Sequence, residues 1–330
     1  MTRVTLRDVA ERAGVSTAAT SQALNDRGNL RPETRERIRA IAAELGYSPN
    51  KHAAALRSGR TMSIGFVMPD TEDDDGAKRW AFDHNRQLNA LVRASAEHGF
   101  TVTVLPASRP DLLEATQLDV LYVSDARSGL DVVRAAATRG IPVVARDLYV
   151  DVDRSLSVRT GYDAVLRASL EHLAASGAER IALLVDEGDH PRDEIARTGY
   201  HGWSTVRGRE PLVFEVDLAH RALPRRVREA LDAGADAILA FCEDGPEIYL
   251  QLEASPLVIP RDVQLLALCV TDCALNERLG VTHVCVHPEL AAEAAFCSLG
   301  ALTHSPSATL AGDPLVADLP WELVRGSSTR

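Results

Sequence analysis

The chain has 330 residues, of which 45% are hydrophobic, and it carries five cysteines and a net charge of −11. This length and hydrophobic content predict two or three domains with sizeable cores and exclude a globally disordered chain. No apolar stretch approaches the ~18 residues that a membrane helix needs, and the first residues lack the apolar core of a signal peptide. We therefore expect a cytoplasmic protein whose cysteines are buried free thiols rather than disulfides or metal ligands.

The charge is unevenly distributed along the chain. Residues 1–60 contain 11 Lys/Arg and 6 Asp/Glu, a balance of +5, whereas residues 61–330 contain 25 and 41, a balance of −16. A small basic module joined to a large acidic body is the pattern expected when one end of a protein meets nucleic-acid phosphates. A solvated basic face would give the same counts, so charge alone leaves both interpretations open.

A helix-turn-helix is predicted near the N-terminus. Apolar residues at positions 6, 9, 10 and 13 fall on one helical face, Gly14 supplies a tight turn, and Ser16 is a good N-cap for a second helix over 17–24. In that second helix the side chains expected to point outward are Thr17, Ala18, Ser21 and Gln22, and those expected to pack inward are Thr20, Ala23 and Leu24. In this motif the second helix enters the major groove of DNA. A third helix is predicted to follow, with Pro32 at a plausible first position and an apolar stripe over 34–45.

Three segments in this region, 4–16, 31–38 and 45–50, resemble the headpiece of the LacI/GalR family, and the similarity runs almost without a gap over 4–56. The resemblance implies a DNA-binding transcriptional regulator, most often a repressor, that binds a near-palindromic operator as a homodimer. It also implies phosphate-binding roles for Thr5, Ser16, Ser21, Asn25, Thr34 and Asn50, and base-reading roles for Thr17, Ala18 and Gln22. Leu6 and Arg7, at the start of the first helix, complete the predicted DNA-binding set of the headpiece.

Gln22 departs from the family at a base-reading position. The family commonly has arginine there, which suits the acceptors of guanine, whereas glutamine suits the acceptor and donor of adenine. We therefore expect an operator that differs from the usual family sequence at this base. A surface that is simply less engaged with DNA is the alternative.

Residues 50–60 resemble the family's hinge helix. Alanines favour a helix, but so short a segment is marginal alone and should order when two copies pair on DNA. Ala53 would let the paired backbones approach the minor groove, and Leu56 would insert between base steps and kink the duplex. An ordinary packed leucine is the alternative for Leu56.

Beyond residue 60, apolar runs alternate with amphipathic stretches. Strands are predicted over 63–68, 101–105, 120–123, 141–145, 180–185, 213–216, 237–241, 263–268 and 283–286. Helices are predicted over 81–98, 129–139, 161–176, 195–206, 223–233, 246–254 and 289–302. This alternation indicates parallel, doubly wound sheets in two Rossmann-like lobes, with ligands expected beyond the carboxyl ends of the strands. The looser resemblance of this part to the family implies a periplasmic-binding-protein-like body.

The predicted organisation is therefore an all-α headpiece over 1–49, a hinge helix over 50–60 and an α/β effector-binding and dimerisation domain over 61–330. Within that domain we assign about 61–159 and 287–318 to an N-lobe, and about 160–286 and 319–330 to a C-lobe. The effector-binding residues that the resemblance suggests are Asp70, Asp147, Arg197, Cys242, Glu243 and Asp272.

Several of these positions depart from the family pattern. The family's Asn-Asp is replaced by Cys242-Glu243, or by Asp244 if the register shifts. Its Asp-Asp pair is replaced by Cys269-Val270, with Asp272 as the substitute. A pocket for polyhydroxyl ligands needs several buried polar groups, so these losses favour an unusual effector or none, with a sugar still open.

No catalytic motif, cofactor motif or zinc-site spacing occurs, so we predict no enzyme activity, no cofactor and no metal. The alternatives are a cytoplasmic solute-binding protein without gene regulation, and a sugar-active enzyme with an accessory DNA-binding domain. A regulator that ignores small molecules is a variant of the main hypothesis.

Overall fold

A computed structural model of the chain describes residues 4–24, 28, 30–47, 61–68, 75–124, 126–147, 152, 154–188, 190–217, 219–270, 273–287, 289–291, 293 and 315–330. The chain forms two compact units, Met1–Met62 and Ser63–Arg330. The predicted hinge helix over 50–60 lies outside the described residues. No helix in the described ranges is long and apolar enough to cross a membrane.

The first unit contains three helices, α1 (Leu6–Ala13), α2 (Thr17–Leu24) and α3 (Pro32–Glu44). Each contributes small or branched apolar residues to one shared core, whose buried members are Val9, Ala13, Ala23, Ile38 and Ala42. Because alanines occupy three of these five positions, the helices can pack closely in a unit this small. The result is a three-helix domain that presents its remaining faces to solvent.

The connection between α1 and α2 is tightly specified. Thr5 caps α1 in a reciprocal capping box with Asp8, and Gly14 ends the helix with a left-handed φ of 65°. Glycine adopts this conformation at little cost, so the chain can turn at once into α2. The helix-turn-helix predicted from the sequence is thus present.

The second unit begins with a six-stranded sheet. Its strands are β1 (Ser63–Met68), β2 (Thr101–Pro106), β3 (Val120–Val123), β4 (Val143–Arg146), β5 (Ser155–Arg159) and β11 (Leu315–Asp318), in the order β11-β5-β4-β3-β1-β2. All five pairings are parallel. The accompanying helices are α4 (Asp75–Glu97), α5 (Leu112–Ala115) and α6 (Ala126–Thr138).

A second six-stranded sheet follows in the same unit. Its strands are β6 (Ile181–Asp186), β7 (Leu212–Val216), β8 (Ala237–Ala240), β9 (Gln264–Cys269), β10 (Thr282–Cys285) and β12 (Glu322–Val324), in the order β12-β10-β9-β8-β6-β7. The pairings are parallel except that β12 runs antiparallel to β10. The helices are α7 (Tyr162–Ala175), α8 (Pro191–Val206), α9 (Leu223–Asp232), α10 (Gly245–Glu253) and α11 (Cys273–Leu279).

Both sheets are buried on both faces. In the first sheet Phe66 and Tyr122 belong to one apolar cluster, while their neighbours Val67 and Leu121 belong to another. The second sheet is likewise divided between two clusters. Since neighbouring residues of a strand point to opposite faces, each sheet is covered on both sides, as parallel sheets require.

The two sheets share one strand order, which fixes where side chains can converge. The chain winds outward in both directions from β1 and β3 in the first sheet, and from β6 and β8 in the second. The connections that follow the two strands of such a pair run to opposite faces of the sheet. This opens a crevice beyond the carboxyl ends of the two strands. We call this place in each sheet the switch point.

Several elements differ from the sequence predictions: α4 begins at Asp75 rather than at 81, and the sequence predicts none of α5, α11, β5, β11 and β12. Helix α8 begins at Pro191, where the sequence predicts a start near 195, because Pro191 occupies a first-turn position and the side chain of His190 accepts a hydrogen bond from the Arg192 amide. Strand β5 was not predicted from the sequence. Its Ser155 and Ser157 are buried, so the usual polar-outward pattern is absent.

Candidate functional site

The exposed face of α2 carries the side chains that the sequence predicts to read bases. Thr20 and Ala23 are fully buried on the inner face. The exposed residues of the outer face are Thr17, Ala18 and Gln22, and Ser21 beside them is half-buried. The Ser16 hydroxyl accepts a hydrogen bond from the Ala19 amide at 3.1 Å and caps the helix. A helix N-terminus with short polar side chains is suited to contacts with phosphates and base edges.

Other residues predicted to contact DNA lie at the starts of the neighbouring helices. Thr5 is exposed and exchanges hydrogen bonds with Asp8. Arg7 is exposed and its Nε lies 2.8 Å from a Glu11 carboxylate oxygen. Leu6 in α1 and Thr34 in the first turn of α3 are half-buried. Four further predicted residues lie outside the described residues: Asn25, Asn50, Ala53 and Leu56.

In the first sheet, a buried ion network lies at the carboxyl end of β4. The Arg146 guanidinium donates to both carboxylate oxygens of Asp83, at 2.9 and 3.2 Å, and its Nε lies 3.3 Å from Asp147. The Asp147 carboxylate accepts from the main-chain N–H and the hydroxyl of Thr160, each at 2.6 Å. The side-chain amide of Gln87 donates a hydrogen bond to Asp83 and accepts one from the hydroxyl of Tyr122. We call Arg146, Asp83, Asp147 and Thr160 the β4 network.

Burial and charge act in opposite directions on the β4 network. Burial raises the pKa of the Asp147 carboxyl, and the attraction of Arg146 and the hydrogen bonds from Thr160 offset this only in part. Burial disfavours the charged guanidinium of Arg146, but Asp83 and its neighbours outweigh that effect and raise the pKa of Arg146. The arginine is therefore held charged in a nearly dry environment.

A second network lies at the switch point of the second sheet. Arg192, in the first turn of α8, is fully buried. It donates to Asp186 at the end of β6 at 2.7 Å, to Asp193 at 2.9 Å and to Glu243 after β8. Burial lowers the pKa of Arg192, but these three carboxylates reverse the effect and hold the pKa well above its usual value. Arg192 thus gathers acidic side chains from three elements into one site.

His220 extends this network on the other side of Asp186. Its Nε2 lies 2.7 Å from Asp186 Oδ1, and its Nδ1 is hydrogen-bonded to Asp244. Burial opposes the imidazolium, but the two carboxylates outweigh it and raise the pKa of His220 to about 9. We call Asp186, Arg192, Asp193, His220, Glu243 and Asp244 the β6 network.

The backbone is strained beside both networks. Six described non-glycine residues have left-handed φ angles. Two of them, Met62 and Arg154, precede strands, and the other four lie beyond strand ends: Asp147 at 51°, His220 at 54°, Glu243 at 73° and His287 at 44°. Such conformations are uncommon for residues with a side chain and cluster at functional sites. The common position of these four at the carboxyl edges of the sheets supports these edges as the functional part of the second unit.

The predicted effector residues are distributed over the two edges. Glu243 lies in the β6 network and Cys242 is fully buried beside it, while Asp147 lies in the β4 network. Arg197 donates to the main-chain oxygen of Asp186 at 2.6 Å and pairs with Glu215 at 2.9 Å. The remaining two, Asp70 and Asp272, lie outside the described residues.

Sequence reasoning missed four members of the β6 network: Asp186, Arg192, Asp193 and His220. Asp186 immediately follows the run predicted as a strand over 180–185, so its position at a carboxyl end was a usable signal. Arg192 carried no such signal, because the predicted helix began after it. His220 lies between β7 and α9, and its partners are remote in sequence.

A cluster of thiols lies at the ends of β9 and β10. The Cys273 sulfur is 3.3 Å from that of Cys269 and 2.7 Å from that of Cys285, which is 3.5 Å from His287 Nδ1. Hydrogen bonding with Cys269 raises the pKa of Cys273 to about 12. Nearby, Arg86 of α4 donates to the Val270 carbonyl at 2.8 Å and pairs with Glu289. The four described cysteines are thiols outside any disulfide, and three of them are buried as the sequence predicts, whereas Cys273 is half-buried.

Comparison with known proteins places the similarity most firmly in the headpiece. Residues 5–50 match the profile described as "Bacterial regulatory proteins, lacI family". The chain is 33% identical to the HTH-type transcriptional regulator PtxS of Pseudomonas plecoglossicida, over 58% of this chain and 57% of that relative. The match therefore spans less than two thirds of the relative's length. The N-terminal region is thus similar to the DNA-binding part of lacI-family regulators.

Solved structures of LacI-family proteins share the fold of the whole chain. A lac repressor dimer bound to operator and the anti-inducer ONPF has a TM-score of 0.75 at 21% identity, covering 99% of both chains. A periplasmic binding protein/LacI transcriptional regulator from Alkaliphilus metalliredigens QYMF, complexed with D-xylulofuranose, has a TM-score of 0.63 at 14% identity. It covers 82% of this chain and 99% of that one. The helix-turn-helix headpiece and the periplasmic-binding-protein-like α/β body predicted from the sequence are thus confirmed.

Proposed function

We propose that this protein is a sequence-specific transcriptional repressor of the LacI/GalR family that binds a near-palindromic operator as a homodimer. The observation that carries the proposal is α2, the second helix of the helix-turn-helix, which buries Thr20 and Ala23 and exposes Thr17, Ala18 and Gln22 on its outer face. Paired reading helices in a two-fold dimer match a palindromic site. The proposed role is regulatory rather than catalytic, in the cytoplasm and on the nucleoid when operator is bound.

The domain organisation proposed for this function follows the sequence. Residues 1–49 would bind DNA, 50–60 would form the hinge helix with Ala53 and Leu56 at the minor groove, and 61–330 would bind effector and dimerise. The sheet containing β1–β5 and β11 supplies the proposed N-lobe, and the sheet containing β6–β10 and β12 supplies the C-lobe. A small molecule bound between their carboxyl edges would change the spacing of the paired hinges and hence the operator affinity.

The central experiment is selection of the bound DNA sequence from random duplexes with the full chain. We expect a near-palindromic site whose affinity falls steeply with salt, by roughly 10³–10⁵ between about 50 and 200 mM for 6–10 phosphate contacts. Gln22→Ala should weaken binding to the selected site. Ala43→Ser, at an exposed position of α3, is the matched control and should bind like the wild type. Failure to enrich any sequence would overturn the proposal.

Dimerisation and effector control are tested separately. Light scattering should give twice the chain mass of 35.7 kDa, and a monomer would contradict the homodimer. Operator affinity of the full chain should then be measured with sugars and sugar derivatives first, and with nucleosides and amino acids next. A change in affinity with one class identifies the effector class, and no change with any class would contradict effector control by these compounds.

A further inference from the structure

Three side chains at the switch point of the second sheet bring different donor atoms together. A carboxylate oxygen of Asp186, a ring nitrogen of His220 and the sulfur of Cys242 all lie within 4.8 Å of one another. No other group of three His, Cys, Asp or Glu side chains in the described part of the chain converges in this way. Oxygen, imidazole nitrogen and thiolate sulfur are the ligands of Zn²⁺ in proteins. We propose that Asp186, His220 and Cys242, here called the switch-point triad, bind a divalent transition-metal ion such as Zn²⁺.

The ring of His220 is oriented as a metal ligand would be. Its Nδ1 is hydrogen-bonded to Asp244, while its Nε2 faces Asp186 Oδ1 at 2.7 Å. Metal-binding histidines nearly always donate their second ring N–H to a carboxylate, which fixes the tautomer and raises the basicity of the ligating nitrogen. The left-handed φ of 54° at His220 shows that the chain is held in an uncommon conformation while it directs the ring to this place.

Asp186 is oriented by its second oxygen. Arg192 donates to Asp186 Oδ2 at 2.7 Å, whereas Oδ1 is directed to His220. Asp186 and Cys242 are 4% and 0% exposed, so a bound ion would be held in a largely dry environment. Electrostatic attraction is stronger there than in water. The orientations of Asp186 and His220 are therefore set by Arg192 and Asp244, which do not themselves belong to the triad.

The charge around the triad also favours a cation. Four carboxylates surround Arg192 and His220 at this place, those of Asp186, Asp193, Glu243 and Asp244. A metal ion would replace the proton between His220 and Asp186 and the proton of the Cys242 thiol. Three protein ligands leave one tetrahedral position open, as in zinc sites that bind water or a ligand molecule.

Metal binding gives a physical reason for the presence of cysteine at position 242. Cysteine stands where the family pattern has asparagine, and a thiol is a poor partner for sugar hydroxyls but a strong ligand for a soft or borderline metal. If the cleft has the proposed effector-binding role, the metal would act as effector or would hold one at its open position. Metal binding itself does not depend on the proposed DNA-binding function.

The test uses the metal alone and the full chain. Metal-free protein, carrying Cys297→Ser to remove the cysteine outside the described residues, is titrated with Co²⁺. We expect one equivalent to produce a thiolate-to-cobalt charge-transfer band and the visible absorption of tetrahedral cobalt, both lost when Zn²⁺ displaces it. Cys242→Ser should abolish the charge-transfer band. Asp244→Asn should weaken Co²⁺ binding roughly 10–100-fold while leaving the band in place.

The matched control is Cys285→Ser, which removes a thiol of the same sheet edge outside the triad and should leave the cobalt spectrum unchanged. A band that survives Cys242→Ser but is lost in Cys285→Ser, or no band in the parent protein, would overturn the proposal. His220→Gln provides a second test if Cys242→Ser does not fold, with circular dichroism as the folding check. Because no DNA is present, failure of operator binding would leave this result unaffected.

Discussion

Replacing Arg146 with methionine tests the β4 network most directly. The side chains of Arg146 and Asp83 are 3% and 6% exposed, and their nearest atoms are 2.9 Å apart. Methionine fills similar space but leaves the carboxylates of Asp83 and Asp147 buried without their cation. Breaking a buried pair by removing one partner costs about 3–5 kcal/mol, because the remaining charge stays desolvated. We expect Arg146→Met to lower the free energy of unfolding by that amount near pH 7.

The loss should depend on pH in a definite direction. Burial already raises the pKa of Asp147 and Arg146 lowers it, so removing Arg146 moves the folded-state pKa further above the unfolded value. A carboxyl with a raised folded pKa binds more protons in the folded than in the unfolded state. Folded protein is then stabilised as the pH falls through the folded pKa towards the unfolded one. The deficit of Arg146→Met should therefore be smaller at about pH 5 than at about pH 8.

Urea unfolding of the full chain, followed by far-ultraviolet circular dichroism at both pH values, measures these effects. Arg134→Met is the control, because Arg134 and Asp131 form an exposed pair, 71% and 77% accessible, whose loss should cost less than about 1 kcal/mol. Adding Asp83→Asn to Arg146→Met should recover part of the stability by removing one uncompensated charge. Two results would contradict this prediction. One is an Arg146→Met loss of unfolding free energy no larger than that of the control, and the other is a loss that grows as the pH falls.

Three further predictions concern other parts of the chain. Ala23→Asp places a charge at a fully buried position of the headpiece and should abolish operator binding through unfolding of that unit; retained binding would contradict the packing. Gln22→Arg should shift preference from adenine to guanine at one base pair by about 5–150-fold, measured on paired operators, and equal binding to the wild-type operator would contradict it. The raised pKa of Cys273, about 12, predicts slow iodoacetamide labelling at about pH 8 with a rate rising about tenfold per pH unit, followed by peptide mass spectrometry. A rate equal to that of a free thiol would contradict it.

The sequence predicts the fold well where its patterns are strong. Strand β1 occupies the predicted residues 63–68, because a run of apolar residues ended by proline has few alternatives as a buried strand. Strand β5 is not predicted from the sequence, because two buried serines interrupt its apolar residues. The first turn of helix α8 is not predicted from the sequence, because polar residues such as Arg192 and Asp193 are expected to be exposed. Both are fully buried. Polarity is a poor guide where charges satisfy one another inside the protein.

The site was less predictable than the fold for the same reason. Three of the contacts made by the β6 network join Arg192 or His220 to partners 24 to 51 residues away. No local pattern marks such contacts, and they follow only from the strand order that brings β6 and β8 together. The resemblance suggests Arg197 as an effector-binding residue, and this stays a prediction. The fully buried arginine among the carboxylates is Arg192.

The two networks together constrain what the proposed cleft can bind. Each carboxyl edge surrounds a buried arginine with a larger number of acidic groups, two around Arg146 and three around Arg192. If the proposed cleft brings these two edges together, their like charges would repel one another. The repulsion would grow as closure excludes water and lowers the effective dielectric constant. A neutral sugar would leave it unchanged, whereas a cation would reduce it. A ligand shifts a conformational equilibrium only by its differential affinity for the two states. A cationic or metal-bound effector is therefore the one whose binding would favour the closed arrangement of these edges most strongly.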